Sequence, residues 1–162
     1  MSHTSFLGIP VEGTITESDR VPQRPLSELQ PLLRALLDDE TITEFGWRQF
    51  TPYFNDGEPC VFGLSDFWVR TTGDTEVTDL GLLEVGEYAG THPTLGGHAA
   101  ESHGWQYGPY RGDQPERYHR ARALADALHG NEFADVLLDA FGDHAEVTVR
   151  RTNISVEFYD HE

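Results

Sequence analysis

The segment Phe45-Gly-Trp-Arg-Gln-Phe-Thr-Pro-Tyr-Phe-Asn-Asp-Gly-Glu-Pro-Cys-Val-Phe62 constrains the fold of this chain more than any other stretch. Aromatic side chains bury large areas, so a core collects around Phe45, Trp47, Phe50 and Phe62. Asn55-Asp56-Gly57 lies between two strand-like runs, the pattern of a β-hairpin with a longer loop. Pro52 and Pro59 limit the freedom of that connection. In the second run Cys60, Phe62 and Leu64 alternate with Val61, Gly63 and Ser65. Phe67, Trp68 and Val69 extend it through a bulge near Asp66.

The flanking segments supply helices and a second hairpin. Leu29, Leu32, Leu33, Leu36 and Leu37 fall at i, i+3, i+4, i+7 and i+8, which predicts an amphipathic helix before the aromatic segment. Ser27 and Gln30 have capping-box spacing, and Asp38, Asp39 and Glu40 sit at its C-terminal end, where the helix dipole disfavours negative charge. A further helix runs from Asp113 or Gln114 to Gly130, burying Tyr118, Ala121, Leu124, Ala125 and Leu128. Asn131 is placed to cap a last helix with Phe133, Val136, Leu137, Ala140 and Phe141 inward. Ala145–Arg150 and Asn153–Phe158 alternate as a terminal hairpin. Phe6–Val11 reads as an edge strand or an arm.

Two hairpins and three helices predict an α+β fold: an antiparallel sheet of about four strands with about three helices on one face. The 162 residues fit a single domain, 1–162, with an irregular glycine-rich insertion at 71–112 that holds one short strand, Leu82–Tyr88.

Charge narrows the function classes. The chain carries 28 acidic residues against 11 basic ones, a formal charge of −17. Such a surface repels phosphate backbones and anionic lipids, so neither direct nucleic-acid binding nor membrane binding is expected. A basic protein partner is favoured instead. All the basic residues are arginine, which excludes lysine nucleophiles and Schiff bases. The single cysteine allows no internal disulfide, and no signal peptide or apolar span is evident; the expected compartment is the cytoplasm. Oligomeric state is not legible.

Candidate sites are few. Tyr53 and Phe54 at the hairpin tip, with Asp56 and Glu58 beside them, suit a basic partner. Asp38, Asp39 and Glu40 form a second acidic candidate. His92, His98 and His103, with Glu101 between the last two, are the only metal-ligand candidates, but their spacing matches no zinc pattern and a solvated loop is the simpler expectation. Arg111, Arg117, Arg120 and Arg122 are expected to pair with neighbouring acids, and Cys60 to be structural. No GxGxxG, P-loop or GxSxG motif occurs, so no cofactor and no catalytic residue is expected.

Trp47–Phe62 resembles a run in small uncharacterised acidic proteins of bacteriophages and actinobacteria. Phe133-Ala-Asp-Val-Leu-Leu-Asp-Ala-Phe-Gly-Asp-His144 is similar to their C-terminal part. The resemblance implies a phage or actinobacterial setting and carries no activity, ligand or catalytic residue. With the charge, it leads to the expectation of a non-enzymatic protein that binds a basic partner, such as a phage-encoded, DNA-mimicking inhibitor of a nucleic-acid-handling host system. The alternatives are an immunity protein against a basic toxin, a metal-dependent enzyme using His92–His103, and a phage assembly component.

Overall fold

The computed structural model describes residues 5–13, 21–53, 57, 60–87, 89–98 and 108–160. A short exposed hairpin, β1 (Ser5–Phe6) with β2 (Ile9–Pro10), forms a separate two-stranded ladder. There follow α1 (Leu26–Leu37), β3 (Ile42–Phe50), β4 (Gly63–Thr71), a 3-10 turn (Leu80–Leu83), α2 (Pro115–His129), α3 (Ala134–Phe141), β5 (Ala145–Val149) and β6 (Ile154–Phe158). The main sheet has the order β4-β3-β5-β6, with every neighbouring pair antiparallel. The two hairpins are thus joined through β3 and β5, and the fold is the α+β sandwich that the periodicities predict.

The core is one cluster between the inward sheet face and the helices. Phe45 and Trp47 from β3, Phe67 and Val69 from β4, and Val147 and Val149 from β5 meet Leu29 and Leu36 from α1. All five residues expected on the inner stripe of α2 are buried. Burying a leucine such as Leu124 or Leu128 contributes about 1.5–3 kcal/mol, so the stripe positions α2 firmly over β4.

Local chemistry explains where the elements depart from expectation. Ser27 and Gln30 form no capping box; Pro25 occupies the N-cap of α1 without a side-chain bond. Asn131 does not cap α3. It adopts a left-handed φ of 58° and accepts the Leu64 N–H at 3.2 Å, and Gln23 Oε1 takes the Asp135 N–H in the first turn of α3 at 2.9 Å. Ala140 faces solvent, because this short helix lies on its Ala134–Leu137 side. β4 begins at Gly63, leaving the half-buried Cys60 outside the strand. Leu82–Tyr88 is no strand: the 3-10 turn is followed by one bridge, Glu84 to Trp68, and Tyr88 lies outside the described residues.

The acidic end of α1 is reconciled with the dipole by arginines. Arg151 donates to the carbonyls of Leu37 at 3.0 Å and Ile42 at 2.7 Å, closing the exit turn. Arg117 and Arg120 lie 3.4 and 3.5 Å from the Asp39 carboxylate. Among the described residues no helix is long and apolar enough to cross a membrane.

Candidate functional site

A bulge in β4 helps to form a concavity. The β3–β4 register steps from Gly46 opposite Trp68 to Arg48 opposite Ser65, so Trp47 faces both Asp66 and Phe67. Asp66 takes a φ of 57° there, a conformation an aspartate tolerates better than most residues. Arg48 braces its carboxylate at 3.3 Å. The bulge turns the Phe67 backbone toward other elements: its N–H donates to His129 Nε2 at 3.3 Å, and its C=O accepts from the Val85 N–H at 2.9 Å. The extra residue in β4, the segment after the 3-10 turn and the C-terminal end of α2 thereby enclose a cleft of about 710 Å³.

The cleft wall is acidic. Among the described residues, Asp66, Glu84, Glu87 and Asp126 line it with a single arginine, Arg122, over an apolar floor that includes Leu64 and Val85. Arg122 Nε is already paired with Asp126 at 2.8 Å. Burial pushes the Glu84 carboxyl above its ordinary pKa, and the nearby Asp66 and Asp79 charges add to this while Arg48 opposes it. A carboxylate that is partly desolvated beside like charges gains from an incoming cation. His129 keeps part of its surface in water, but burial of the ring lowers its pKa despite Asp126 and Asp66. Its Nε2 accepts a hydrogen bond, so the imidazole is neutral with the proton on Nδ1.

Two of the histidine candidates, His92 and His98, are described, and each is engaged within the fold. His92 is 1% exposed, where a solvated loop was expected. Its Nδ1 accepts the N–H groups of Thr94 at 3.1 Å and Leu95 at 3.0 Å, which places its proton on Nε2, donated to the Val69 carbonyl at 2.6 Å. Asp74 completes the knot by accepting Thr71 N–H at 2.9 Å and Thr94 Oγ1 at 3.0 Å. Both nitrogens of His92 therefore hold the 89–98 segment on β4 and offer nothing to a metal. His98 bonds the Gly108 carbonyl through Nδ1 at 2.9 Å and packs among Tyr110, Tyr118 and His119. His103 lies outside the described residues. No group of three or more potential metal ligands occurs among those described.

A pH dependence follows from these histidines. Burial lowers the His92 pKa, outweighing the opposing effects of the Val69 bond and Asp74. Unfolded histidine takes up a proton as pH falls through about 6.5. Folded His92 and His129 do so only at lower pH. In that window the unfolded state binds more protons, so stability falls on acidification below about pH 6.5. The urea midpoint is expected to drop between about pH 7.5 and 5.5, and His92→Gln and His129→Gln each to flatten the drop. An unaltered slope in both variants would contradict these assignments.

Of the partner-binding candidates, Tyr53, Asp38, Asp39 and Glu40 are described. Tyr53 is exposed and stacks on His144 with centroids 5.1 Å apart, while Phe54, Asp56 and Glu58 lie outside the described residues. Asp38 and Glu40 face solvent. The Asp39 carboxylate accepts the Thr41 N–H and hydroxyl at 2.9 and 2.6 Å besides facing two arginines; burial works against its charge, but the Thr41 bonds and the arginines hold its pKa below the ordinary value. The residues missed from sequence are Asp66, Glu84, Glu87, Asp126 and His129. The expected bulge at Asp66 was their one local signal.

What fold and cleft define is an α+β protein with an acid-walled recess beside a strand bulge. No family model, curated protein or solved structure matches the chain.

Proposed function

We propose that this chain is a non-enzymatic recognition protein whose cleft receives a basic side chain from a protein partner. The observation that carries this is the wall itself: Glu84 sits partly desolvated beside the Asp66 and Asp79 charges, in a lining where Arg122 is already paired with Asp126 and Asp66 is braced by Arg48. The surrounding charge of −17 acts in the same direction, steering a basic partner toward the surface before contact. A guanidinium is the best-suited guest: its planar fork donates to more than one carboxylate at once while its stem lies on the apolar floor. Both ring nitrogens of His92 are occupied by structural hydrogen bonds, which weighs against metal-dependent chemistry at that residue. In a phage or actinobacterial setting, the partner is a basic nucleic-acid-handling enzyme or a basic toxin.

Calorimetric titration with a tetra-arginine peptide tests this reading. Binding is expected to weaken steeply as salt rises from ~0.05 to ~0.5 M, because exposed charge pairs are screened beyond a Debye length. The double substitution Asp66→Asn with Glu84→Gln removes two charges, and asparagine retains the left-handed bulge geometry. It is expected to weaken binding by about tenfold or more, the scale of one charge-assisted bond. Salt-independent binding, or affinity unchanged in the double variant, would refute the assignment.

A further inference from the structure

β6 is the last strand of the main sheet, and its outer edge has no partner among the described residues. Edge strands are normally protected by proline, inward-pointing charge, a bulge or a covering element. β6 shows none of the first three. Its register puts Ile154, Val156 and Phe158 opposite Val149, Val147 and Ala145, on the face that the helices cover elsewhere. The β5 residues are buried, yet Ile154 is 51%, Val156 46% and Phe158 72% exposed. The helix layer therefore stops one strand short of the sheet edge.

The hydrogen-bond parity fixes what this edge can accept. Arg150 N–H donates to the Asn153 carbonyl and Tyr159 N–H to the His144 carbonyl, so the odd-numbered residues of β6 point their polar groups at β5. In an antiparallel ladder the alternate residues point the other way. Ile154, Val156 and Phe158 thus direct both N–H and C=O outward, and these are also the residues with exposed apolar side chains.

We infer that β6 pairs antiparallel with β6 of a second copy, about a two-fold axis at Val156, giving a continuous eight-stranded sheet. In that register Val156 faces its own mate and Ile154 faces Phe158 of the second copy. All the outward-directed groups of these residues are then bonded, and apolar side chains meet across the seam. On the other face Ser155 stands opposite Glu157 of the second copy, so no carboxylates oppose each other. Sliding the register by two residues in one direction sets Glu157 against Glu157, which like-charge repulsion disfavours; sliding it in the other leaves Phe158 unpaired. Hydrogen-bond parity and apolar self-complementarity point to a second copy of this strand, and the Glu157 charge selects the register.

The field of the whole chain supplies a signature. Each copy carries −17, so association is opposed by long-range repulsion that salt screens. Dimerisation is expected to strengthen with salt, the opposite of binding to a basic partner.

Sedimentation equilibrium from about 10 μM to about 1 mM protein, at low and high salt, tests the inference. The native chain should dimerise more tightly at high salt. Val156→Lys places a charge in the seam and Val156→Pro removes an outward N–H that β5 does not use, a change an edge strand accommodates. Both should weaken the dimer by about tenfold or more with the far-ultraviolet dichroism of the native chain. If Val156→Pro disturbs the strand, Val156→Lys decides alone. A native chain that stays monomeric throughout, or a dimer indifferent to Val156→Lys, overturns the proposal.

Discussion

Gly46→Val is expected to abolish folding, and Gly46→Ala to cost more than about 4 kcal/mol, a large share of the stability of an ordinary domain. Gly46 sits in the middle of β3, opposite Trp68 on one side and Thr148 on the other. A Cβ added there would overlap the Val147 carbonyl oxygen and lie 2.9 Å from the Trp68 ring. Neither neighbour can yield cheaply. The carbonyl belongs to the strand that joins the two hairpins, so moving it breaks the β3–β5 ladder. The indole is 5% exposed, and the bridge from its backbone to Glu84 ties it to the segment that walls the cleft. Gly90 is the control: nothing lies within 4 Å of its added Cβ, and Gly90→Ala should change stability by less than about 0.5 kcal/mol. Urea denaturation followed by tryptophan fluorescence measures both, and a Gly46→Ala protein as stable as Gly90→Ala would show that the sheet is not packed as described.

How much of this was legible in the sequence depends on the range of the interaction. The stripe on α2 was read residue for residue, since helical period and burial are both local properties of Pro115–His129. The bulge at Asp66 was legible because a charged residue interrupts an apolar alternation. His92 was misjudged as solvated because glycine-rich surroundings mask a side chain whose partners, Val69 and Leu95, lie on either side of a fold-back. Beyond the bulge at Asp66 the cleft was not legible. Its wall comes from β4, from residues 84–87 with Ala89, and from the end of α2, and no periodicity in one segment reports its distance from another. Asn131 failed as a cap for the same reason: a residue 67 positions away, Leu64, presents the N–H it bonds.

Gln49 is the residue whose parity gave a signal without being read. Phe45, Trp47 and Gln49 alternate inward on β3, and a glutamine in that third place must be bonded or costly. It is 0% exposed. Its Nε2 donates to the carbonyls of Leu137 at 2.9 Å and Gly142 at 2.7 Å, and its Oε1 accepts from Trp47 Nε1 at 2.9 Å. One side chain thereby bonds the Gly142 carbonyl at the C-cap of α3, the Leu137 carbonyl within it and the indole of the core, and pins α3 to the sheet. Gln49→Leu matches the volume but takes the partner from the Trp47 indole N–H and from the Gly142 carbonyl, each worth about 1–3 kcal/mol when left buried without one. A loss of at least about 3 kcal/mol is expected. Gln49→Glu separates hydrogen bonding from packing. A carboxylate can accept from the indole but cannot donate to carbonyls, so the folded state raises the pKa of the new acid. Its protonated form, which regains one donor, is favoured as pH falls; the deficit relative to the native chain should shrink in acid and widen toward neutrality. The comparison must be made at each pH against the native chain, which itself loses stability on acidification through His92 and His129. A Gln49→Glu deficit that stays constant from about pH 7.5 to 4.5 would mean that the amide donates to neither carbonyl and that α3 is held by apolar packing alone.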